Sequence, residues 1–117
     1  VILTTLVTGA SAATREAAIA AALDHSIATA IILEGLPDGS PSLDDQAAHL
    51  HVVRIAPGCV CCAGNLTMRV TLNRMVRRRP ERLFIALANS QHLMQIRTFL
   101  TQAPYDNLLE LTQDLQC

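Results

Sequence analysis

Ile2 to Val7 is a run of β-branched and aliphatic residues that ends at Thr8-Gly9 and shows no alternation of polar and apolar positions. A parallel strand covered on both faces carries this pattern, because neither side of its pleat meets water. From Thr14 to His25 the spacing changes. Ala18, Ile19, Ala22 and Leu23 share one helical face, Ser11 or Thr14 stands where a cap is needed, and Glu16 lies in the first turn, so a helix is predicted. Ala28 to Leu33 repeats the buried-strand pattern, and the segment from Glu34 to Pro41, rich in Gly and Pro, is loop. Ser42 to His49 is predicted as a short helix, with Ser42 as cap and Asp44 and Asp45 near its positive end. His51 to Ile55 is a third strand, broken by Ala56-Pro57-Gly58. From Asn65 to Arg79 the positions Leu66, Met68, Val70, Leu72, Met75 and Val76 are mostly at helical spacing. Arg74, Arg77, Arg78 and Arg79 gather at the carboxyl end of that segment before Pro80. Arg82 to Ala88 is a fourth strand, Gln91 to Gln102 a further helix stopped by Pro104, and Leu108 to Leu111 a weaker fifth strand.

Strands that alternate with helices in this way require crossover connections. The expected fold class is therefore α/β: three layers, with a mostly parallel sheet of about five strands and helices on both faces. At 117 residues the chain suits one domain with one core, and no internal repeat or linker divides it. The only aromatic residues are Phe84, Phe99 and Tyr105, so the core must be aliphatic.

Charge and hydropathy narrow the function classes. A net charge of −1 argues against a nucleic-acid or anionic-membrane surface as the main business of the chain. The arginine run Arg77-Arg78-Arg79, with Arg69, Arg74 and Arg82, reads as a solvated helix end rather than an RNA surface, because no aromatics interleave for base stacking. No apolar run approaches the roughly 18 to 20 residues of a membrane span. Ala10-Ser11-Ala12 after the apolar start mimics a signal-peptidase site, but no positive region precedes it, so a cytoplasmic location is expected.

Candidate chemistry lies in two places. Gly58-Cys59-Val60-Cys61-Cys62-Ala63-Gly64 holds three of the four cysteines, the fourth being Cys117. Thiolates are soft ligands and good nucleophiles, and clustered cysteines in a cytosolic chain indicate metal binding or redox activity before a disulfide framework. Cys59 and Cys61 can point the same way from an extended end, and Gly58 and Gly64 permit the bend that would bring Cys62 toward them. A helix starting near Asn65 would aim its positive end at the thiols and favour thiolate. Three readings stay open: a metal site, thiol redox exchange, and inert buried cysteines.

The second place is Gly9 to Glu16, between the first strand and the first helix, where the pattern G-x-x-x-x-G-K-[ST] would cradle a phosphate. Gly9 matches. Thr14 stands where the second glycine belongs, Arg15 where the lysine belongs, and Glu16 where a hydroxyl would hold magnesium. A side chain at 14 restricts the wrapping loop, Arg15 lacks the compact ammonium, and Glu16 brings a carboxylate toward a polyphosphate. Glu16 is expected to fill the anion site from within. All nine basic residues are arginine, so no lysine elsewhere replaces the missing one.

Leu6-Val7-Thr8-Gly9, Ile32-Leu33-Glu34-Gly35 and Gly58-Cys59-Val60-Cys61-Cys62 occur in an order and spacing that resembles the CobW-like family of P-loop GTPases and metal chaperones. The C-x-C-C element is the specific part, and the resemblance covers about the first 90 residues, the amino-terminal half of the family's GTPase domain. It implies a P-loop NTPase-like fold over 1–117 as a single truncated domain. By the same resemblance Cys59, Cys61 and Cys62 are metal-associated cysteines, and Glu34 matches the glutamate of the family's N-E-F-G. Ala86-Leu87-Ala88-Asn89 departs from the family's E-T-T-G, losing the acidic residue and glycine near the γ-phosphate, and no guanine-reading N-K-x-D follows.

The expected site is a tetrahedral zinc, or another divalent transition metal, on Cys59, Cys61 and Cys62 with Glu34 first choice for the fourth ligand by analogy with the family. His25, His49, His51 and His92 are surface or strand-end residues in this reading. Gly9, Ser11, Thr14, Arg15 and Glu16 form a degenerate nucleotide loop, and neither GTP with magnesium nor hydrolysis is expected. The expected partner is a metal ion, with a metalloprotein client or a homodimer beside it. A docking module without catalysis and a GTP-binding protein completed by another chain are the alternatives.

Overall fold

A computed structural model describes residues 2–24, 26–35, 49–55, 66–88, 93–102 and 105–117. Its elements are β1 (Ile2–Thr8), α1 (Ala12–Ala22), β2 (Thr29–Glu34), β3 (Leu50–Ile55), α2 (Leu66–Arg77), β4 (Arg82–Ala86), α3 (Leu93–Leu100), a 3-10 turn (Tyr105–Asn107), β5 (Leu109–Leu111) and β6 (Leu115–Gln116). Predicted and observed ends agree to within a few residues. The predicted helix Ser42 to His49 falls outside the described residues up to position 48. The sequence pattern missed β6, which is too short to show a period.

The sheet runs in the order β3-β2-β4-β1-β5, with β6 also paired to β1. Every pairing among the described strands is parallel. β5 and β6 use successive parts of one edge: Ile2 to Thr4 face Leu109 to Leu111, and Val7 and Thr8 face Leu115 and Gln116. They form one outer strand interrupted at residues 112–114.

Alternation along each strand sorts the core into two clusters, one on each face. Leu6, Ala30, Ile32, Leu83 and Ile85 point to the side covered by Met68, Leu72 and Met75 of α2 and by Ile96, Phe99 and Leu100 of α3. Val7, Ile31, Leu33, Phe84 and Ala86 point to the other side, under Ile19 of α1. This is the α/β arrangement of three layers, and it explains why β1, β2 and β4 lack polar alternation: beyond their first residues, both of their faces are covered.

The fold places the carboxyl ends of all the strands along one edge. Open α/β sheets bind ligands at that edge, where the loops leave the strands.

Leu72 is fully buried between α2 and the sheet, whereas Val70 on the same helix is 44% exposed. Leu72→Ala is expected to cost about 2–5 kcal/mol in urea unfolding, through lost transfer energy and the residual cavity. Val70→Ala should stay within about 0.5 kcal/mol.

Candidate functional site

At the carboxyl end of β1 the chain passes through Gly9 into α1. Ser11 is the N-cap, with φ −140° and ψ 161°, and its hydroxyl accepts from the Thr14 amide at 3.1 Å. The Thr14 hydroxyl meets the same oxygen at 2.8 Å. The amide that a phosphate loop would offer to an anion is thus bonded within the helix cap.

The charged residues of the loop are likewise engaged. Arg15, 5% exposed, donates from Nη1 to the Gly9 carbonyl at 2.9 Å. Glu16, 2% exposed, receives two parallel bonds of 3.0 Å from Nη1 and Nη2 of Arg54 on β3. The expectation that Glu16 fills the anion site is corrected here: its carboxylate is held by a guanidinium across the sheet face. Coulomb attraction and bidentate geometry favour Arg54 over the weaker partial charge of the helix end.

Cys117 completes the loop's closure. Its Sγ donates to the Thr8 carbonyl at 3.1 Å, and its amide bonds the same oxygen at 3.0 Å. A Cβ built on Gly9 would lie 2.7 Å from that sulfur, 3.0 Å from the Cys117 carbonyl oxygen and 3.2 Å from Cγ of Arg15. Glycine at position 9 therefore serves the close approach of this chain's own atoms.

Glu34 ends β2 with 2% exposure, and Oε1 accepts from the Ala88 amide at 2.7 Å. Ala88 follows β4, so the carboxylate bridges the ends of two neighbouring strands. Gly35 turns away with φ 103°, a conformation that favours glycine, and its amide bonds the Ile55 carbonyl at 2.9 Å. Glu34 and Ile55 are register partners on β2 and β3. Arg15, Glu16, Glu34 and Ala86 also line a cleft between α1 and the strand ends that is too small to admit water.

The structure thus brings Gly9, the N-cap Ser11, and Thr14, Arg15 and Glu16 of the start of α1 together at the end of β1 and sets Glu34 beside them. Cys59, Cys61 and Cys62 lie outside the described residues, as do His25 and His92. Among the described residues no group of three or more His, Cys, Asp or Glu side chains is arranged to hold a metal ion. His49 and His51 stand at the opposite, amino end of β3, lining a cavity with Arg78. Burial first, and then the charge of Arg78, lowers the His51 pKa. Sequence reasoning missed Arg54 and Cys117. An arginine inside the apolar run Leu50 to Ile55 was a signal that a carboxylate waits on one face. Nothing local marks Cys117.

No family model matches the chain, and no solved structure matches it. The chain is similar to the zinc chaperone YeiR of Escherichia coli (strain K12), with 37% identity over 62 residues. That stretch is 52% of this chain and 19% of the relative, so the chain spans about a fifth of the relative's length. Among the described residues no helix is long and apolar enough to cross a membrane.

Two substitutions test the loop. Arg54→Leu leaves the Glu16 carboxylate, whose side chain is 3% exposed, without its cation, and is expected to cost about 3 kcal/mol in denaturant unfolding. The double replacement Glu16→Leu with Arg54→Leu should be less destabilised than that single one. Gly9→Ala should cost about 1–3 kcal/mol through overpacking, and pairing it with Cys117→Ala, which removes the sulfur, should restore part of the loss in the same measurement.

Proposed function

We propose that this chain is a non-hydrolytic, CobW-like metal-handling protein that binds zinc, or another divalent transition metal, at Cys59, Cys61 and Cys62 with Glu34. The observation that carries this reading is the buried carboxylate of Glu34 at the end of β2, register partner of Ile55, from which the sequence runs on into Gly58-Cys59-Val60-Cys61-Cys62. A carboxylate whose Oε1 is already fixed by the Ala88 amide is oriented without the metal. Outer-shell hydrogen bonds of this kind orient a ligand and tune its basicity. Three thiolates and one carboxylate fit the tetrahedral preference and borderline softness of zinc. The similarity to a zinc chaperone over about half of the chain supports the same class of cargo.

The loop at Gly9 supports the absence of hydrolysis. The Thr14 amide, the Arg15 guanidinium and the Glu16 carboxylate are bonded to Ser11, Gly9 and Arg54 respectively, which leaves those groups engaged within the chain rather than directed to a polyphosphate. A GTP-driven cycle would have to break these contacts first. In this reading the metal is cargo passed to a metalloprotein client in the cytoplasm, where reducing conditions keep the thiols free.

Elemental analysis of protein purified without tags or chelators should find stoichiometric zinc. Cys59→Ser with Cys61→Ser should weaken zinc binding at least about a hundredfold, or about 2.7 kcal/mol. Glu34→Gln, which retains an acceptor for the Ala88 amide, should weaken it about tenfold. No bound metal, together with unchanged zinc affinity in the double cysteine variant, sinks the reading. Calorimetric titration with GTP and magnesium should show no binding tighter than about 100 μM, which is about −5.5 kcal/mol.

A further inference from the structure

The described surface of α2 carries charge of one sign. From Leu66 to Pro80 the sequence holds Arg69, Arg74, Arg77, Arg78 and Arg79 and no Asp or Glu. All five arginines are exposed. The salt bridges among the described residues join Arg54 to Glu16 and Arg97 to Asp114, so none of the five has a carboxylate partner there. Like charges three and four positions apart on a helix repel, and the chain tolerates that cost on a molecule whose net charge is −1.

At the carboxyl end of α2 this charge meets an apolar cleft of about 820 Å³, lined by Leu3, Val76 and Leu108 together with Arg77, Arg79 and Glu81. Leu3 is 40% and Leu108 38% exposed, and they line the same cleft. Arg79 has φ 52°, in the left-handed region, and its amide closes α2 on the Val76 carbonyl at 3.0 Å. Glycine or asparagine is the usual residue there, and an arginine is strained in that conformation. Glycine would remove the strain and also the guanidinium from the cleft.

We propose that this cleft and the adjoining basic face of α2 dock an acidic amphipathic peptide segment of a protein partner. An apolar side chain of the peptide rests on Leu3 and Leu108, and its carboxylates meet Arg74, Arg77 and Arg79. Charge complementarity selects a polyanion, and the apolar floor selects a peptide over a nucleic acid. Single-stranded nucleic acid needs rings to stack on, and the aromatic rings on this side are covered: Phe99 lies beneath the Arg69 guanidinium at 5.7 Å, and Tyr105 is buried with its hydroxyl donating to Asn73. The cleft sits at the amino ends of β1, β4 and β5, opposite Glu34, so it goes beyond the metal reading and does not depend on it.

The test is fluorescence anisotropy of the full chain with a short fluorescein-labelled Glu-Glu-Leu repeat peptide at low salt. Saturable binding is expected, and Arg77→Ala with Arg79→Gly should weaken it about tenfold, or about 1.4 kcal/mol. Thermal melting should show that this variant stays folded, since glycine relieves the strain at position 79. Leu108→Ser should weaken the Glu-Glu-Leu peptide. Cys59→Ser with Cys61→Ser should leave its affinity unchanged, which separates failure of this surface from failure of the zinc site. The proposal is overturned if the arginine variant binds as the parent does. It is equally overturned if an all-glutamate peptide or a single-stranded RNA of equal charge binds as tightly as the Glu-Glu-Leu peptide.

Discussion

β1 is hydrogen-bonded along both edges, to β4 over Leu3 to Val7 and to β5 and β6 over the two ends of its other side. A strand so placed leaves neither edge free, and only Leu3 near its amino end is exposed. Its backbone is satisfied by neighbours from distant parts of the sequence, and its Leu6 and Val7 side chains feed opposite cores. The two helical layers, the position of the loop at Gly9 and the alignment of the strand ends all follow from that central placement. The pairing of Val7 and Thr8 with Leu115 and Gln116 also delivers Cys117 to the loop.

The carboxyl edge of the sheet is where an open α/β fold has backbone groups to offer a ligand. Here the groups that follow β1 are engaged by contacts inside the chain. Ser11, Gly9 and Arg54 bond the Thr14 amide, Arg15 and Glu16, and Oε1 of the buried Glu34 at the end of β2 accepts from the Ala88 amide. Burying a carboxylate is costly without hydrogen bonds or a cation. The bond from the Ala88 amide to Oε1 answers part of that cost. Glu34 and the arginine-rich end of α2 lie at opposite ends of the strands.

Much of the local structure was legible in the order of residues. Buried strands showed themselves as unbroken apolar runs because both faces are covered, and the helix from Leu66 to Arg77 showed its period through Met68, Leu72 and Met75. The departure of Thr14, Arg15 and Glu16 from the pattern G-x-x-x-x-G-K-[ST] was legible too, since the three are adjacent in sequence. The fate of those residues was not. Glu16 looked like an anion for the helix end until the fold set Arg54, 38 positions away, across from it.

Sequence alone determined the alternation of strands and helices, the cysteine cluster with its C-x-C-C spacing, and the absence of lysine, because each is a property of neighbouring residues or of composition. Only the tertiary structure decided the strand order, the seating of Cys117 against Gly9, the bidentate pair of Glu16 with Arg54, and the meeting of Leu3 and Leu108 beside Arg77 and Arg79. Those contacts join residues tens of positions apart. Their geometry comes from how parallel strands stack in register, and no local pattern encodes that register.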